Sequence, residues 1–179
     1  MHSGQDNDDP PALPTPPAQL LNMLRALGVD FHIYEHEPIF TVADGEHLKA
    51  DMPGVHCRNL YLRDKKKKNY LIVAANETQL DLKKLSELLG CARLSFGSAE
   101  RLWTMLGIRQ GSVNPFTVIN DTGNHVQLIL DAYMMDANII NVHPMDNAMT
   151  VGIAPESLIT FLNHIGHTYS IVDLSPSKP

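Results

Sequence analysis

His56-Cys57-Arg58-Asn59-Leu60-Tyr61-Leu62-Arg63-Asp64-Lys65-Lys66-Lys67-Lys68-Asn69-Tyr70-Leu71-Ile72-Val73-Ala74 is the stretch that decides the architecture of this chain. Two apolar, branched and aromatic runs, at 60–63 and 70–74, flank a block of consecutive lysines. Such runs favour extended backbone, and a block of like charges has to stay in water. The stretch therefore predicts a β-hairpin with a charged tip. A hairpin at the centre of the chain sets antiparallel pairing at the centre of the sheet.

Working outward, Leu20, Leu21, Leu24 and Leu27 repeat at helical spacing, with Thr15 as an expected N-cap before Pro16 and Pro17 and with Gly28 as the stop. Residues 29–36 alternate as a strand, and a short helix is expected over 42–50. Asp81 caps a helix that Gly90 ends, 93–96 is a short strand, and Ser98 caps a helix running to about Leu106. Residues 116–120 and 126–130 read as strands around the turn Asp121-Thr122-Gly123-Asn124, and 139–142 and 149–153 as two more. Pro155 opens the last helix, with Glu156 in its first turn, and 169–172 closes as a strand. Helices and strands do not alternate regularly. The class is α+β, a mixed, largely antiparallel sheet with flanking helices.

At 179 residues and 44% hydrophobic content the chain fits one domain with one sizeable core. Residues 1–17 hold five prolines, several acids and few large apolar groups, which predicts a disordered tail followed by a domain over 18–174. No apolar run approaches the ~20 residues of a membrane span, and the N-terminus lacks the order of a secretory signal. Cys57 and Cys91 are too few for a disulfide framework and lack metal spacing, so the expected compartment is the cytoplasm. A net charge of −6 argues against a protein that coats DNA. Neither a membrane nor DNA is an expected partner. Yet six of the fourteen Lys and Arg residues are Arg58, Arg63, Lys65, Lys66, Lys67 and Lys68, a basic tongue able to grip a short phosphate backbone.

Three segments place polar or backbone-exposing groups beside strand-like runs: His56–Leu62 as quoted above, Gly111-Ser112-Val113-Asn114-Pro115-Phe116, and Asn141-Val142-His143-Pro144. The middle one is a Gly-x-x-x-Pro loop. Its Gly allows close backbone approach to a ligand, and its Pro fixes the exit direction. The sequence lacks a Gly-x-Ser-x-Gly elbow, a phosphate-binding glycine loop and a His-Glu-x-x-His helix, so no metal or cofactor is expected. An enzyme without a nucleophile-and-base set has to act on a bond that is already activated. An aminoacyl ester is such a bond, needing a placed water, oxyanion donors and a fitted pocket.

Together the three segments, with Gly90-Cys91-Ala92-Arg93-Leu94-Ser95-Phe96 and the helix before Gly166-His167, resemble the freestanding editing domains of the YbaK/prolyl-tRNA deacylase superfamily. The resemblance is closest to the alanyl-tRNA(Pro) deacylase branch and covers roughly 18–174. It implies a trans-editing hydrolase that removes alanine from tRNA(Pro), with the tRNA acceptor end, and a prolyl-tRNA synthetase, as partners. It also implies that Arg58, Asn59, Gly111 and His143 carry the chemistry, that Phe40, Val42, Ser112, Val113 and Pro115 hold the substrate, and that the substrate's ribose hydroxyl assists the water. Arg63 and Lys65 to Lys68 are then the tRNA-binding residues. The family usually carries Lys-Asn at the first pair; this chain has Arg58-Asn59, which keeps the charge but is planar and bulkier. Two other readings follow from that change: a deacylase for Ser, Thr or Cys esters, or a module that binds aminoacyl groups or tRNA without hydrolysis. A plain structural domain is the third alternative.

Overall fold

The lysine block is a hairpin tip. Strand β2 (Val55–Asp64) pairs antiparallel with β3 (Asn69–Ala75), from Cys57 opposite Ala75 to Arg63 opposite Asn69. The Asp64 carboxylate accepts the Lys68 amide at 2.9 Å, and Lys67 takes a left-handed φ of 69°, which closes the turn tightly. The computed structural model describes residues 10–175, apart from the side chain of Lys49. Around the hairpin stand β1 (Phe31–Glu35), β4 (Leu94–Phe96), β5 (Val126–Asp131), β6 (Ile140–Val142), β7 (Met149–Ile153) and β8 (Tyr169–Val172). The order across the sheet is β1-β7-β6-β2-β3-β5-β8, with β4 also on β2. Pairs β1/β7, β6/β7, β2/β3 and β2/β4 are antiparallel; β2/β6, β3/β5 and β5/β8 are parallel. The sheet is mixed and helix-flanked, as the sequence implies.

Helices α1 (Pro17–Ala26), α3 (Ala99–Leu106) and α5 (Pro155–Ile165) cover one face, and α2 (Leu82–Leu88) packs on the other. The expected single core is thus divided by the sheet. Leu71, Val73 and Ala75 of β3 enter the larger cluster with Leu20, Leu24, Leu106, Phe116 and Phe161, whereas Tyr70, Ile72 and Ala74 enter a smaller one with Leu62, Leu85 and Leu94. Because both faces of β3 are covered, its sequence is apolar throughout instead of alternating. Each such buried Leu, Val or Ile contributes about 1.5–3 kcal/mol. Helix caps follow the sequence: Asp81 accepts from the Lys84 amide at 2.9 Å, Ser98 from Arg101 at 3.2 Å, and Gly107 and Gly166 end their helices in left-handed conformation.

Four local expectations are corrected. Residues 116–120 are not a strand but a 3-10 helix, Pro115–Asn120. Asn114 caps it by accepting the Phe116 amide at 3.0 Å, Pro115 sets its first φ, and the Thr117 hydroxyl donates to the Asn114 carbonyl at 2.6 Å. Residues 42–50 yield only a 3-10 helix, Glu46–Asp51. The Asp44 carboxylate accepts the Thr41 and Phe40 amides at 2.8 and 3.2 Å, a turn that competes with helix; these bonds, the Thr41 amide foremost, hold its carboxyl below the usual range. Thr15 is not the cap of α1; its hydroxyl donates to Asn120 Oδ1 at 2.8 Å, and Pro16 stands at the cap. Finally, α4 (Ala132–Met135) is a single turn capped by Asp131, absent from the sequence reading because four residues carry no periodicity.

The expected tail, 1–17, lies outside the described residues as far as residue 9. Its end is packed: the Pro11 carbonyl accepts from Arg109, Leu13 lies on the larger core, and Thr15 is buried. Among the described residues no helix is long and apolar enough to cross a membrane.

Candidate active site

The site arises where β2 changes partners. On the edge away from β3, β2 pairs with β6 only at Val55 and His56, and with β4 only from Leu62 to Asp64. Between these two contacts the edge of Arg58, Asn59 and Leu60 has no neighbouring strand, and a cavity of about 380 Å³ opens there. Its walls come mainly from four places: His56, Cys57, Arg58, Asn59 and Leu60 on β2; Asn141, Val142 and His143 at the end of β6; Gly111 and Val113 of the loop before the 3-10 helix; and Ile39, Phe40, Thr41, Val42, Gly45 and Met52 between β1 and β2; Asn76 after β3 and Thr150 of β7 complete them. Arg58, Asn59, Gly111, His143, Phe40, Val42 and Val113, chosen from three distant segments and a loop, therefore share one cavity. The volume lies at the small end of the range for ligand pockets.

Gly111 has φ +88°, and a Cβ placed on it would stand 3.0 Å from Phe40 Cδ1. The loop backbone thus passes directly beneath an aromatic ring that is itself 69% exposed. Phe40, together with Val42, forms the exposed rim of the cavity. Ser112 donates its amide to the Arg109 carbonyl at 3.2 Å and accepts Asn114 Nδ2 on its own carbonyl at 2.8 Å. Among the described residues the amides of Gly111, Val113 and Asn114 have no acceptor, and of these three residues Gly111 and Val113 line the cavity. Ser112 and Pro115, expected at the substrate, are not among the lining residues. Pro115 is buried at the start of the 3-10 helix, and Ser112 is engaged in the turn that shapes the loop.

His143 places Nδ1 2.7 Å from the Met149 carbonyl. A carbonyl only accepts, so Nδ1 carries the hydrogen and Nε2 keeps its lone pair. Burial lowers the His143 pKa below the ordinary value; the Met149 bond and Asp146 oppose this, and His36, whose ring centroid is 6.2 Å away, adds to it. His143 is a neutral imidazole near pH 7. Cys57 also lines the cavity, but burial, reinforced by the charges of Asp131 and Glu77, pushes its thiol far up, and it stays protonated. Arg58 is the one charged side chain among the lining residues described, and no carboxylate accompanies it there.

Four buried polar atoms of lining residues have no hydrogen-bond partner: Arg58 Nε, Asn59 Oδ1, Asn76 Oδ1 and Asn141 Oδ1. Unmet buried groups of this kind are costly, and four of them fall on residues that line this one cavity. Asn76, Asn141, His56 and Thr150 were not among the expected site residues. Asn141 had a readable signal, since it is a polar residue between Ile140 and Val142 in a short buried strand. Asn76 and Thr150 gave none.

The basic tip lies apart from the cavity. Arg58 and Asp64 stand six positions apart on β2, about 20 Å of extended chain. Lys65, Lys66, Lys67 and Lys68 are exposed there and line no part of the cavity. The fold adds two more cations to them. The Arg93 carbonyl accepts the Lys65 amide at 3.2 Å, and Arg101 donates to the Lys67 carbonyl at 3.4 Å and to Asn69 Oδ1 at 2.7 Å. Arg63, half-buried on β2, leads into this group.

Comparison with known proteins bears on this geometry. A prolyl-tRNA editing protein, ProX, of Acetoanaerobium sticklandii is 33% identical over 152 residues, covering 84% of this chain and 93% of that protein. The prolyl-tRNA synthetase associated domain-containing protein 1 of Bos taurus is 35% identical over 155 residues, covering 84% and 90%. Among solved structures, the hypothetical protein APE2540 superposes with a TM-score of 0.65 at 17% identity, covering 86% of this chain and 97% of that one, a likeness of fold. The aminoacyl-tRNA editing domain matches residues 36–161, a span that holds every wall of the cavity and the basic tip. The chain belongs to the aminoacyl-tRNA editing domain family.

Proposed function

We propose that this chain is a trans-acting hydrolase that deacylates mischarged tRNA, and that its substrate is Ala-tRNA(Pro). The observation that carries the reading is the cavity itself: one small chamber with a lone cation, two free backbone amides, a neutral imidazole and no nucleophilic side chain in its reactive form. This set suits attack by water on an activated ester. The Gly111 and Val113 amides stand as donors for the developing oxyanion, and Arg58 supplies positive charge to the ester or to the terminal nucleotide. His143 Nε2 accepts a hydrogen bond that orients water or the ribose hydroxyl. Asn59, which can donate and accept, holds the aminoacyl group. Phe40, Val42 and Val113 limit its size, and Ser112 and Pro115 shape the loop from behind.

Relatives named for prolyl-tRNA editing and for association with prolyl-tRNA synthetase support the choice of tRNA and of partner. The choice of alanine follows from a physical argument. A synthetase pocket made for proline cannot exclude a smaller residue strongly, because missing methylenes are worth only about 1–3 kcal/mol. A second, smaller chamber then removes what slipped through while proline fails to enter. Arg63, Lys65, Lys66, Lys67 and Lys68 hold the phosphate backbone of the acceptor end.

The test is deacylation by the purified chain of tRNA(Pro) carrying alanine or proline, with Ser-, Thr- and Cys-tRNA alongside. Rapid loss of alanine with proline spared is the expected result. Preference for Ser, Thr or Cys would transfer the assignment to that ester and to the retuned Arg58. Binding of charged tRNA without turnover of any ester would replace the enzyme with a binding module.

A further inference from the structure

From the bonds around Arg58 we infer that Thr78, which lines no part of the cavity, is the positioning residue that sets where the Arg58 guanidinium stands during deacylation. This rests on the proposed reaction for its kinetic readout, and on the structure alone for its physical one.

The chain of contacts begins at Asp131, a fully buried carboxylate at the end of β5. Its Oδ1 accepts the Tyr133 amide at 3.2 Å; its Oδ2 accepts the Ala75 amide at 3.2 Å and the Thr78 hydroxyl at 2.5 Å. The Thr78 amide donates back to the Ala75 carbonyl at 3.1 Å, and the Asn76 amide donates to the His56 carbonyl at 2.8 Å. The three residues after β3 are thereby folded over a single buried anion. Thr78 is 3% exposed, and its carbonyl accepts Nη2 of Arg58. One residue thus holds Asp131 with its hydroxyl and Arg58 with its carbonyl. No ion pair links Asp131 directly to Arg58 among the described residues, so the carboxylate reaches the guanidinium through Thr78.

The arrangement makes use of the fixed plane of an arginine. A guanidinium carries five N–H donors in a fixed plane, so one can be given to a protein carbonyl while the others remain. Here Nη2 is used on Thr78, Nε is buried and unpartnered, and the residue as a whole lines the cavity. A lysine at the same carbonyl keeps two further N–H donors, but on a single rotating nitrogen without a fixed plane. Thr78 therefore anchors the plane of the guanidinium, and with it the direction in which Nε–H points.

The experiment compares Thr78→Val and Thr78→Ser, each in the natural chain and in an Arg58→Ala background. Val keeps the shape of Thr and removes the hydroxyl; Ser keeps the hydroxyl. We expect Thr78→Val to lower kcat on the mischarged tRNA by about 10-fold to 100-fold, the scale of a small misplacement, with KM little changed, and Ser to restore it. In the Arg58→Ala background the same change should have no further effect, because the group it positions is gone. An equal fall in both backgrounds, or no fall in either, would overturn the inference. If Thr78→Val does not fold, Thr78→Ala takes its place in the same cycle. A second readout needs no turnover: NMR of the Arg58 guanidinium should show hindered rotation about the Nε–Cζ bond that Thr78→Val releases and Thr78→Ser preserves. Unchanged rotation in Thr78→Val would overturn the inference even if no ester is hydrolysed, whereas inactivity with released rotation would overturn only the reaction.

Discussion

Replacing Gly111 with alanine separates the catalytic use of this backbone from its place in the fold. At φ +88° an L side chain is strained by about 1–2 kcal/mol. The new Cβ would also lie 3.0 Å from Phe40 Cδ1, 3.4 Å from Phe40 Cε1 and 3.5 Å from Asn147 Nδ2. Phe40 is 69% exposed and can swing outward, so the steric part is small. The ground-state cost is then about 1–2 kcal/mol, a fall in Tm of roughly 2–8 °C for a chain of this size. Relaxation of φ towards negative values turns the peptide plane that carries the Gly111 N–H. Losing one oxyanion donor costs about 10²–10³ in rate, or about 3–4 kcal/mol at the transition state. The predicted signature is a mild thermal shift with a steep loss of single-turnover rate on saturating mischarged tRNA. Gly111→Val should show the same pattern with a larger thermal shift. The double variant Gly111→Ala/Phe40→Ala removes the contact but not the strain, and it should remain slow. Recovery of turnover in that double variant would assign the effect to the Phe40 rim; wild-type turnover in folded Gly111→Ala would refute the oxyanion role outright.

Three further expectations follow from the site. Arg58→Ala should reduce deacylation by more than tenfold with a modest fall in Tm, since it also leaves the buried Thr78 carbonyl without its Nη2 donor; Arg58→Lys should retain activity on Ala-tRNA(Pro), and its abolition there would point to a different ester. Changing Lys65, Lys66, Lys67 and Lys68 to Gln should raise KM and flatten its salt dependence while sparing the saturated single-turnover rate, because these charges act on encounter about 20 Å along the strand from the chemistry; a large fall in the saturated rate would put them at the ester. His143, depressed by burial, is neutral in the folded chain where the unfolded chain begins to protonate it. The folded state then binds fewer protons, so its contribution to stability is present above the unfolded pKa near 6.5 and is lost as pH falls from there through the lower folded pKa. The rate should likewise be flat above pH 6.5 with respect to this group and decline only below it; a pH–rate profile still rising between pH 7 and 8, and flattened by His143→Ala, would show that its pKa is not depressed.

Local chemistry alone determined much of this protein. The lysine block between apolar runs specified the hairpin, and Asp81, Ser98, Gly107, Pro155 and Gly166 set helix ends that depend on one residue's hydrogen bond or φ. The pattern of Arg58-Asn59, Gly111 and His143 likewise picked out four residues that line the cavity. Where the sequence misled, a side chain competed with regular backbone: Asp44 captured the amides of 40 and 41, Asn114 captured that of Phe116, and Thr15 spent its hydroxyl on distant Asn120. For Asp44 and Asn114 the captured amide lies within four residues and two local arrangements compete; for Thr15 the partner lies 105 residues away, and that reach is not written in neighbouring letters. The cavity has the same origin. It exists because β2 leaves β6 before it meets β4, and strand pairing of that kind is decided by the whole sheet. The same holds for Thr78, an unremarkable loop threonine in the sequence. Only the approach of Asp131 from β5 and Arg58 from β2 gives its two oxygens something to hold.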